Sequence, residues 1–232
     1  MNNKIAFVFP GQGSQSVGML DAFGADPIVA STLNEASEAI GFDLAQMIHT
    51  GPAQTLALTE NTQPVMLASA IAIYRAWLAA SGTVPSMMAG HSLGEYTAYV
   101  ASGAIGFHDA VPLVRFRAQA MQAAVPVGAG SMAAIVGMDD AAVIELCRAS
   151  QASTGKIVEA VNFNAPSQVV IAGDKEAVDD ASAKAKPAGA KLVAPLAVSA
   201  PFHSSLLQPA AAPLREYLSK ITITPPGIAV VN

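Results

Sequence analysis

Apolar positions along this chain form two patterns, short unbroken runs and longer runs with helical spacing. The run 5–9 ends at Pro10 and Gly11, which is typical of a buried strand in a parallel sheet. The short runs 86–89 and 228–231 also predict strands. Longer stretches predict helices: 26–60 with breaks at Gly41 and Gly51, then 65–80, 93–102, 109–124 and 210–220. The mostly apolar stretch 65–80 should be buried against the sheet. Strands that alternate with helices favour an α/β fold.

A short strand and a helix meet at Gly90-His91-Ser92-Leu93-Gly94. Strand, Gly-x-Ser-x-Gly, helix is the order of a nucleophile elbow, in which a sharp turn aims a serine away from the sheet. Glycines are needed on both sides because side chains there would clash with neighbouring backbone. The pattern predicts an α/β-hydrolase-like parallel-sheet core with Ser92 as nucleophile. The alternative is a chance occurrence of the motif in a chain rich in small residues.

The region 128–198 has a separate pattern. Its strand-like and helical runs follow one another in the order βαββαβ: 131–138, 139–150, 157–163, 168–172, 174–188 and 191–198. This is the order of a ferredoxin-like unit. We therefore predict that 128–198 is an inserted ferredoxin-like subdomain. The large α/β-hydrolase-like domain then consists of 1–127 and 199–232.

Composition narrows the class of protein. Of 232 residues, 52% are hydrophobic and 12% are charged, so the chain can bury a large core. The net charge of −5 and the lack of a basic run argue against a nucleic-acid partner. Charge-poor stretches contain proline and glycine, so we predict no membrane span. The single cysteine, Cys147, fits a reducing cytosol and lies in a helical run, where a buried structural thiol is expected.

Two arginines on the predicted helix 109–124 face different directions. Arg115 and Arg117 are two positions apart, which is about 200° around a helix. Arg117 shares its face with Leu113 and Met121, so it points toward apolar surroundings. A buried guanidinium is costly without a partner. Arg117 is therefore either paired with a distant acid or kept for an anionic ligand.

Three motifs together carry a resemblance to a known family. They are Gly90-His91-Ser92-Leu93-Gly94-Glu95, Phe9-Pro10-Gly11-Gln12-Gly13-Ser14-Gln15 and Ser199-Ala200-Pro201-Phe202-His203-Ser204. In these motifs the chain resembles the malonyl-CoA:acyl-carrier-protein transacylases of bacterial fatty acid synthesis, which are related to acyltransferase domains of polyketide synthases. The resemblance extends over essentially the whole chain. It implies transfer of a malonyl group to the phosphopantetheine thiol of acyl carrier protein through a malonyl-serine intermediate, without a metal or redox cofactor.

The resemblance also implies roles for individual residues. Ser92 is the nucleophile, and His203 is the general base that a serine nucleophile needs. The backbone N–H groups of Gln12 and Leu93 form the oxyanion hole. Arg117 binds the malonyl carboxylate. Three further residues are candidates for contact with the substrate: Gln63, Met121 and Asn162.

Two of these candidates could instead have a structural role. Gln63 directly precedes Pro64 at the predicted start of a helix, where it could serve as a cap. Asn162 and Asn164 lie near a predicted strand-to-turn junction, where asparagine commonly forms turns.

Two other functions stay open. A serine esterase or thioesterase would need a triad acid, for which Asp174 is the candidate because it follows a strand. The second alternative is an inactive, truncated relative. In the family that this chain resembles, the sequence continues beyond the strand at 228–231, and the group that orients the catalytic histidine comes from that continuation. If the resemblance holds, we expect a cytoplasmic monomer that binds malonyl-CoA and acyl carrier protein, and neither nucleic acid nor membranes.

Overall fold

The computed structural model describes residues 5–232 as a mixed α/β protein with one parallel and one antiparallel sheet. Its strands are β1 Ala6–Phe9, β2 Met87–Gly90, β3 Gly130–Val136, β4 Val158–Ala165, β5 Gln168–Asp174, β6 Leu192–Pro195 and β7 Ala229–Val231. Its α-helices are α1 Pro27–Ile40, α2 Leu44–Thr50, α3 Ala53–Leu56, α4 Thr59–Ser81, α5 Leu93–Ala101, α6 Phe107–Ala124, α7 Asp140–Thr154, α8 Lys175–Ala185 and α9 Ala211–Leu218.

The described part of the chain divides into two compact units. The first contains the described residues up to Gln119 together with Arg215–Asn232, and the second is Ala120–Leu214. The predicted subdomain 128–198 is shorter than the second unit. The predicted assignment of residues to domains therefore stays a prediction.

The first unit contains the parallel sheet, in the strand order β1-β2-β7. β1 and β2 pair from Ala6 with Met87 to Phe9 with Gly90, so they end at the same edge. Open α/β sheets bind ligands at this edge. The predicted parallel pairing of β1 is confirmed. The prediction that it is buried is wrong, because in the described residues it has one strand neighbour and Val8 on it is 75% exposed.

α4 is the longest helix of the first unit and supplies much of its core. It begins at Thr59, six residues before the predicted start at 65. Glu60 occupies the first turn, and Pro64 lies inside the helix, where its missing N–H leaves the Glu60 carbonyl without its usual partner. By length and composition α4 could span a membrane, but half of its most apolar window is buried inside the protein, as in a core helix.

α6 begins at Phe107, two residues before the predicted start. Asp109 is therefore an acidic residue of the first turn, where the helix dipole favours negative charge. His108 lies in the same turn, and His49 lies in α2, within a stretch that is predicted to be helical.

The second unit contains the antiparallel sheet, in the strand order β4-β5-β3-β6. Successive residues of a strand point to opposite faces. On one face, Ile135 and Val169 lie in an apolar cluster with residues of α7 and α8. On the other face, Met132 and Val170 lie in a second cluster, which contains Phe202. β3 and β5 therefore each contribute to two cores, which explains their nearly continuous apolar sequences.

Candidate active site

The predicted elbow forms between β2 and α5. Ser92 directly precedes the helix and has φ 53° and ψ −105°, with a left-handed φ that non-glycine residues rarely adopt. Such strain costs about 1–3 kcal/mol and is concentrated at functional sites. A Cβ on Gly90 would lie 1.9 Å from the carbonyl carbon of Gly94, and one on Gly94 would lie 2.1 Å from the carbonyl oxygen of Phe9. Both glycines of the motif are therefore required by the local backbone.

The loop after β1 lies against this elbow. The His91 backbone N–H donates to the Phe9 carbonyl oxygen at 3.1 Å. A Cβ on Gly11 would lie 2.6 Å from the His91 carbonyl oxygen, so the close approach needs glycine. Gln12 follows in the same loop, and Leu93 is the first residue of α5, where N–H groups lack acceptors within the helix. The oxyanion role of these two N–H groups stays a prediction.

Arg117 lies in α6 at a buried position next to the elbow serine. Only 8% of the residue is exposed. Its Nη1 donates to Gln63 Oε1 at 2.7 Å, and its Nη2 donates to Ser92 Oγ at 3.1 Å. Its guanidinium carbon lies 5.2 Å from the centre of the Tyr96 ring. The prediction that Arg117 faces inward is confirmed, and these two acceptors are a neutral amide and a neutral hydroxyl.

Burial controls the electrostatics of this position. It lowers the pKa of Arg117, while Tyr96 and Glu95 act in the opposite direction. It also raises the pKa of Tyr96, and the charge of Arg117 counteracts that change. A cation that has lost its water is stabilised by a nearby anion. The position therefore suits a ligand that brings a negative charge close to Ser92.

Arg115 has a different environment, as its helical phase predicts. It donates to the Ile40 carbonyl oxygen at 3.2 Å and lies 5.9 Å from the centre of the Phe42 ring. These contacts attach α6 to the end of α1, so Arg115 has a structural role.

Gln63 lies in the second turn of α4 and is 1% exposed. The capping interpretation is wrong, because the helix begins four residues earlier. Gln63 Nε2 donates to Thr59 Oγ1 at 3.2 Å, and Thr59 Oγ1 donates to Gln12 Oε1 at 2.9 Å. Thr59 is absent from the residues predicted for the site, because the predicted helix 65–80 that follows Gln63 begins after it. A helix from Thr59 places residues 59 and 63 on one face, since they are four apart.

Three predicted site residues belong to the second unit. Met121 is buried in an apolar cluster of that unit. Asn162 is half-buried within β4, and the turn to β5 lies at 166–167, so the turn-forming interpretation of Asn162 is wrong. His203 has a left-handed φ of 67°, a second strained position. Because Ser92 belongs to the first unit, its pairing with His203 stays a prediction.

Two other candidates have structural environments in the second unit. Asp174, the possible triad acid, accepts the Ile157 N–H at 2.9 Å and so connects the end of β5 to the residue before β4. Cys147 is 2% exposed. Burial, with a smaller contribution from Glu159, raises its pKa to about 12, so the thiol is a poor nucleophile. Among residues 5–232, no group of His, Cys, Asp and Glu side chains is placed to hold a metal ion.

Known proteins resemble this chain over nearly its whole length. The family described as the acyl transferase domain matches residues 6–232. The malonyl CoA-acyl carrier protein transacylase of Escherichia coli K12 is 53% identical over 230 residues, which are 99% of this chain and 74% of that protein.

Solved structures give the same result. An acyl-carrier-protein S-malonyltransferase from Burkholderia pseudomallei 1710b is 62% identical, with a TM-score of 0.95. The match covers 99% of this chain and 74% of that chain. A malonyl-transacylase in complex with a type II polyketide synthase acyl-carrier protein is 48% identical with a TM-score of 0.95, over the same shares of the two chains.

The geometry and the comparisons agree. A strained serine on an elbow, with a buried arginine on its hydroxyl, is compatible with transfer of an acyl group that carries a negative charge. The family match and the identity to relatives extend over nearly all of the chain. The chain is thus an acyltransferase and belongs to the acyl transferase family, among the malonyl-CoA:acyl-carrier-protein transacylases.

Proposed function

We propose that this acyltransferase moves a malonyl group from malonyl-CoA to the phosphopantetheine thiol of an acyl carrier protein, in fatty acid biosynthesis. The observation that carries the proposal is the buried Arg117 guanidinium, 3.1 Å from the Oγ of the elbow serine. A cation in this place matches an acyl group that ends in a carboxylate. A neutral acyl group would bring no negative charge to the buried guanidinium.

The first half-reaction forms a malonyl-serine ester. Ser92 Oγ attacks the thioester carbon, and His203 takes the hydroxyl proton. The backbone N–H groups of Gln12 and Leu93 stabilise the negative charge that develops on the carbonyl oxygen. When the C–S bond breaks, the CoA sulfur receives the proton from His203 and leaves as a thiol. His203 is then neutral again.

The second half-reaction is the reverse with a different thiol. The carrier's phosphopantetheine thiol attacks the ester carbon and gives its proton to His203. That proton returns to Ser92 Oγ as the ester bond breaks. During both steps Arg117 holds the malonyl carboxylate by charge-assisted hydrogen bonds. We assign Gln63 to the orientation of Arg117, and Met121 and Asn162 to contact with the substrate.

The proposal extends to the fold and the partners. The parallel order β1-β2-β7 and the elbow support an α/β-hydrolase-like core. The order β4-β5-β3-β6, with the chain order βαββαβ, supports a ferredoxin-like subdomain. The solved complex of a relative with its acyl-carrier protein supports a carrier partner. We propose a cytoplasmic monomer that uses no metal or redox cofactor and binds neither nucleic acid nor membranes.

Mass spectrometry of the intact protein tests this function. Incubation with malonyl-CoA should add one malonyl group, and holo acyl carrier protein should then remove it. Ser92→Ala should stay unlabelled, because the nucleophile is gone. Asp174→Asn should be labelled like the wild type, whereas a triad hydrolase that uses this acid would lose acylation. Labelling that persists in Ser92→Ala, or a wild type that is never labelled, contradicts the proposal.

A further inference from the structure

We propose that Thr59 is a positioning residue that couples the loop of Gln12 to Arg117. This inference rests on the proposed malonyl transfer, since it concerns how the loop of Gln12 and the carboxylate-binding Arg117 are held in a fixed relative position. Thr59 does not touch the reacting atoms, and it acts through the two side chains that it hydrogen-bonds.

The coupling is a continuous series of hydrogen bonds through four side chains to the nucleophile. Thr59 Oγ1 donates to Gln12 Oε1 at 2.9 Å and accepts from Gln63 Nε2 at 3.2 Å. Gln63 Oε1 accepts from Arg117 Nη1 at 2.7 Å, and Arg117 Nη2 donates to Ser92 Oγ at 3.1 Å. All five residues belong to the first unit.

The direction of each bond follows from the chemistry of the groups. A guanidinium only donates, so Gln63 must present its oxygen to Arg117 and its nitrogen to Thr59. The Thr59 hydroxyl then accepts, and its one proton goes to the oxygen of Gln12. A reversed Gln63 amide would turn its nitrogen toward Arg117, where neither group accepts, and its oxygen toward Thr59, whose proton is already donated to Gln12. The hydroxyl at position 59 therefore helps to fix one orientation of the amide that holds the arginine.

Burial makes these bonds hard to replace with water. Thr59 is 2% exposed, Gln63 1% and Arg117 8%, while Gln12 is half-buried. Removing one partner from a buried polar pair costs more than the bond itself contributes, because the other partner loses its water as well. Thr59 is the first residue of α4, so its hydroxyl attaches the loop of Gln12 to the start of this helix.

Thr62 provides a contrast on the same helix. It is also fully buried, but its Oγ1 donates to the carbonyl oxygens of Leu56 and Leu58 at 2.6 and 3.1 Å. Those bonds connect α4 to the segment just before it. The two threonines therefore allow the same substitution to be made with and without contact to the site.

The coupling predicts a particular kinetic pattern. Loss of the Thr59 hydroxyl releases the side chain of Gln12, whose backbone N–H is the proposed oxyanion donor, and this affects any acyl group. It also loosens Gln63 and Arg117, and this affects only an acyl group with a carboxylate. Both malonyl and acetyl transfer should become slower, and malonyl transfer should lose more.

Steady-state kinetics with malonyl-CoA and acetyl-CoA test the inference on three variants. Thr59→Val keeps the shape of the side chain, and we expect kcat for malonyl transfer to fall by about 10-fold, the scale of one or two buried hydrogen bonds. Thr59→Ser restores the hydroxyl and should stay within about 3-fold of the wild type. Thr62→Val should lower the melting temperature but leave kcat and the malonyl-to-acetyl ratio unchanged.

The outcomes separate this inference from the proposed function. If Arg117→Ala changes the substrate ratio but Thr59→Val behaves like the wild type or like Thr62→Val, the coupling is wrong and malonyl transfer stands. If the wild type is never malonylated, the proposed function fails. Urea unfolding then tests the coupling without any activity measurement. The double variant Thr59→Val/Gln63→Met should shift the unfolding midpoint by less than the sum of the shifts in the two single variants. Additive shifts would overturn it.

Discussion

At the residue scale, the chemistry of the site depends on the cost of a buried charge. Gln63 and Ser92 accept two hydrogen bonds from Arg117 but bring no negative charge. A carboxylate supplies acceptors and charge together, so it can compensate the guanidinium for its lost water. Arg117 should therefore select for malonyl and against neutral acyl groups.

Replacing Arg117 by alanine should change substrate selectivity. Two charge-assisted hydrogen bonds at roughly 1.5–3 kcal/mol each should be lost, so kcat/KM for malonyl-CoA should fall by about 10²–10³-fold. Acetyl transfer should fall far less or rise, because the charge that disfavours a neutral tail is gone. Arg117→Lys should recover only part of the activity, since an ammonium cannot form a two-pronged contact.

Arg115→Ala is the matched control for this measurement. Its side chain contacts Ile40 and Phe42, away from the elbow, so the ratio of kcat/KM for malonyl-CoA and acetyl-CoA should not change. Equal losses for the two substrates in Arg117→Ala would indicate a purely structural arginine.

Cys147 should be inert in the folded protein. Its pKa is raised from 9.0 to about 12, so the thiol stays protonated in the folded state and ionises earlier in the unfolded chain. Its contribution to stability is therefore complete below pH 9 and is lost as the pH rises towards 12. Iodoacetamide at pH 8 should label Cys147 only in urea, and Cys147→Ala should keep malonyl transfer. Rapid labelling of the native protein would show that the thiol is accessible.

The inward direction of Arg117 could be predicted because it depends on helical phase, which does not change when the start of α6 moves by two residues. Its bonds to Gln63 and Ser92 could not be predicted from spacing. They join residues 54 and 25 positions apart, on three different helices or their ends. Such contacts follow from tertiary packing; the family resemblance indicated the three residues as parts of one site but not the bonds between them.

At the element scale, the elbow depends on two glycines for steric reasons. The Gly94 position is so close to the Phe9 carbonyl that no side chain fits, and Gly90 is equally close to Gly94. These contacts involve backbone atoms, which cannot rotate away as a flexible side chain can. The strand, turn and helix are therefore held as one rigid element that presents Ser92.

Gly94→Ala should disrupt this element. A methyl group 2.1 Å from the Phe9 oxygen must displace either the elbow or the end of β1, and we expect a loss of roughly 2–4 kcal/mol in unfolding free energy. Acylation by malonyl-CoA should fall by about 10²-fold or more, since a small misplacement of the nucleophile has effects on this scale. Urea unfolding and intact-protein mass spectrometry measure the two effects.

Gly106→Ala is the control for the same substitution. A Cβ there would be 3.4 Å from the nearest atom, a side-chain oxygen of Asp109, which is an ordinary contact. This variant should keep near-normal stability and acylation. Near-normal acylation in Gly94→Ala would mean that the close approach of β1 to the elbow is not needed for catalysis.

Elements with a strong local signal can be predicted well from the sequence, and their ends cannot. The elbow combines a motif with a change from strand to helix pattern, so its strand and helix are both confirmed. The predicted start of α4 is wrong because Pro64 resembles a first-turn residue, whereas the surrounding core tolerates it inside the helix. That error also hides the relation between Thr59 and Gln63.

At the scale of the whole molecule, the sequence predicts the order of elements but not the extent of their burial. The order βαββαβ could be found because each element has its own periodicity. The exposure of Val8 depends on how many strands flank β1, which no periodicity within 5–9 encodes. The proposed pairing of Ser92 with His203 also depends on the whole molecule, because the two residues belong to different compact units.

The assignment of His203 is therefore the prediction that most depends on the complete fold. If His203 is the general base, His203→Ala should slow acylation by malonyl-CoA at least about 10²-fold, the usual scale of general-base catalysis. Melting temperatures should show that the variant is folded. His108→Ala, which removes an exposed histidine of α6, should acylate normally, and His91→Ala should lose much less than His203→Ala. These rates are measured by quenching the reaction at short times and weighing the intact protein. A large loss in His91→Ala together with a nearly normal His203→Ala would move the role of base to the elbow itself, because His91 directly precedes the nucleophile.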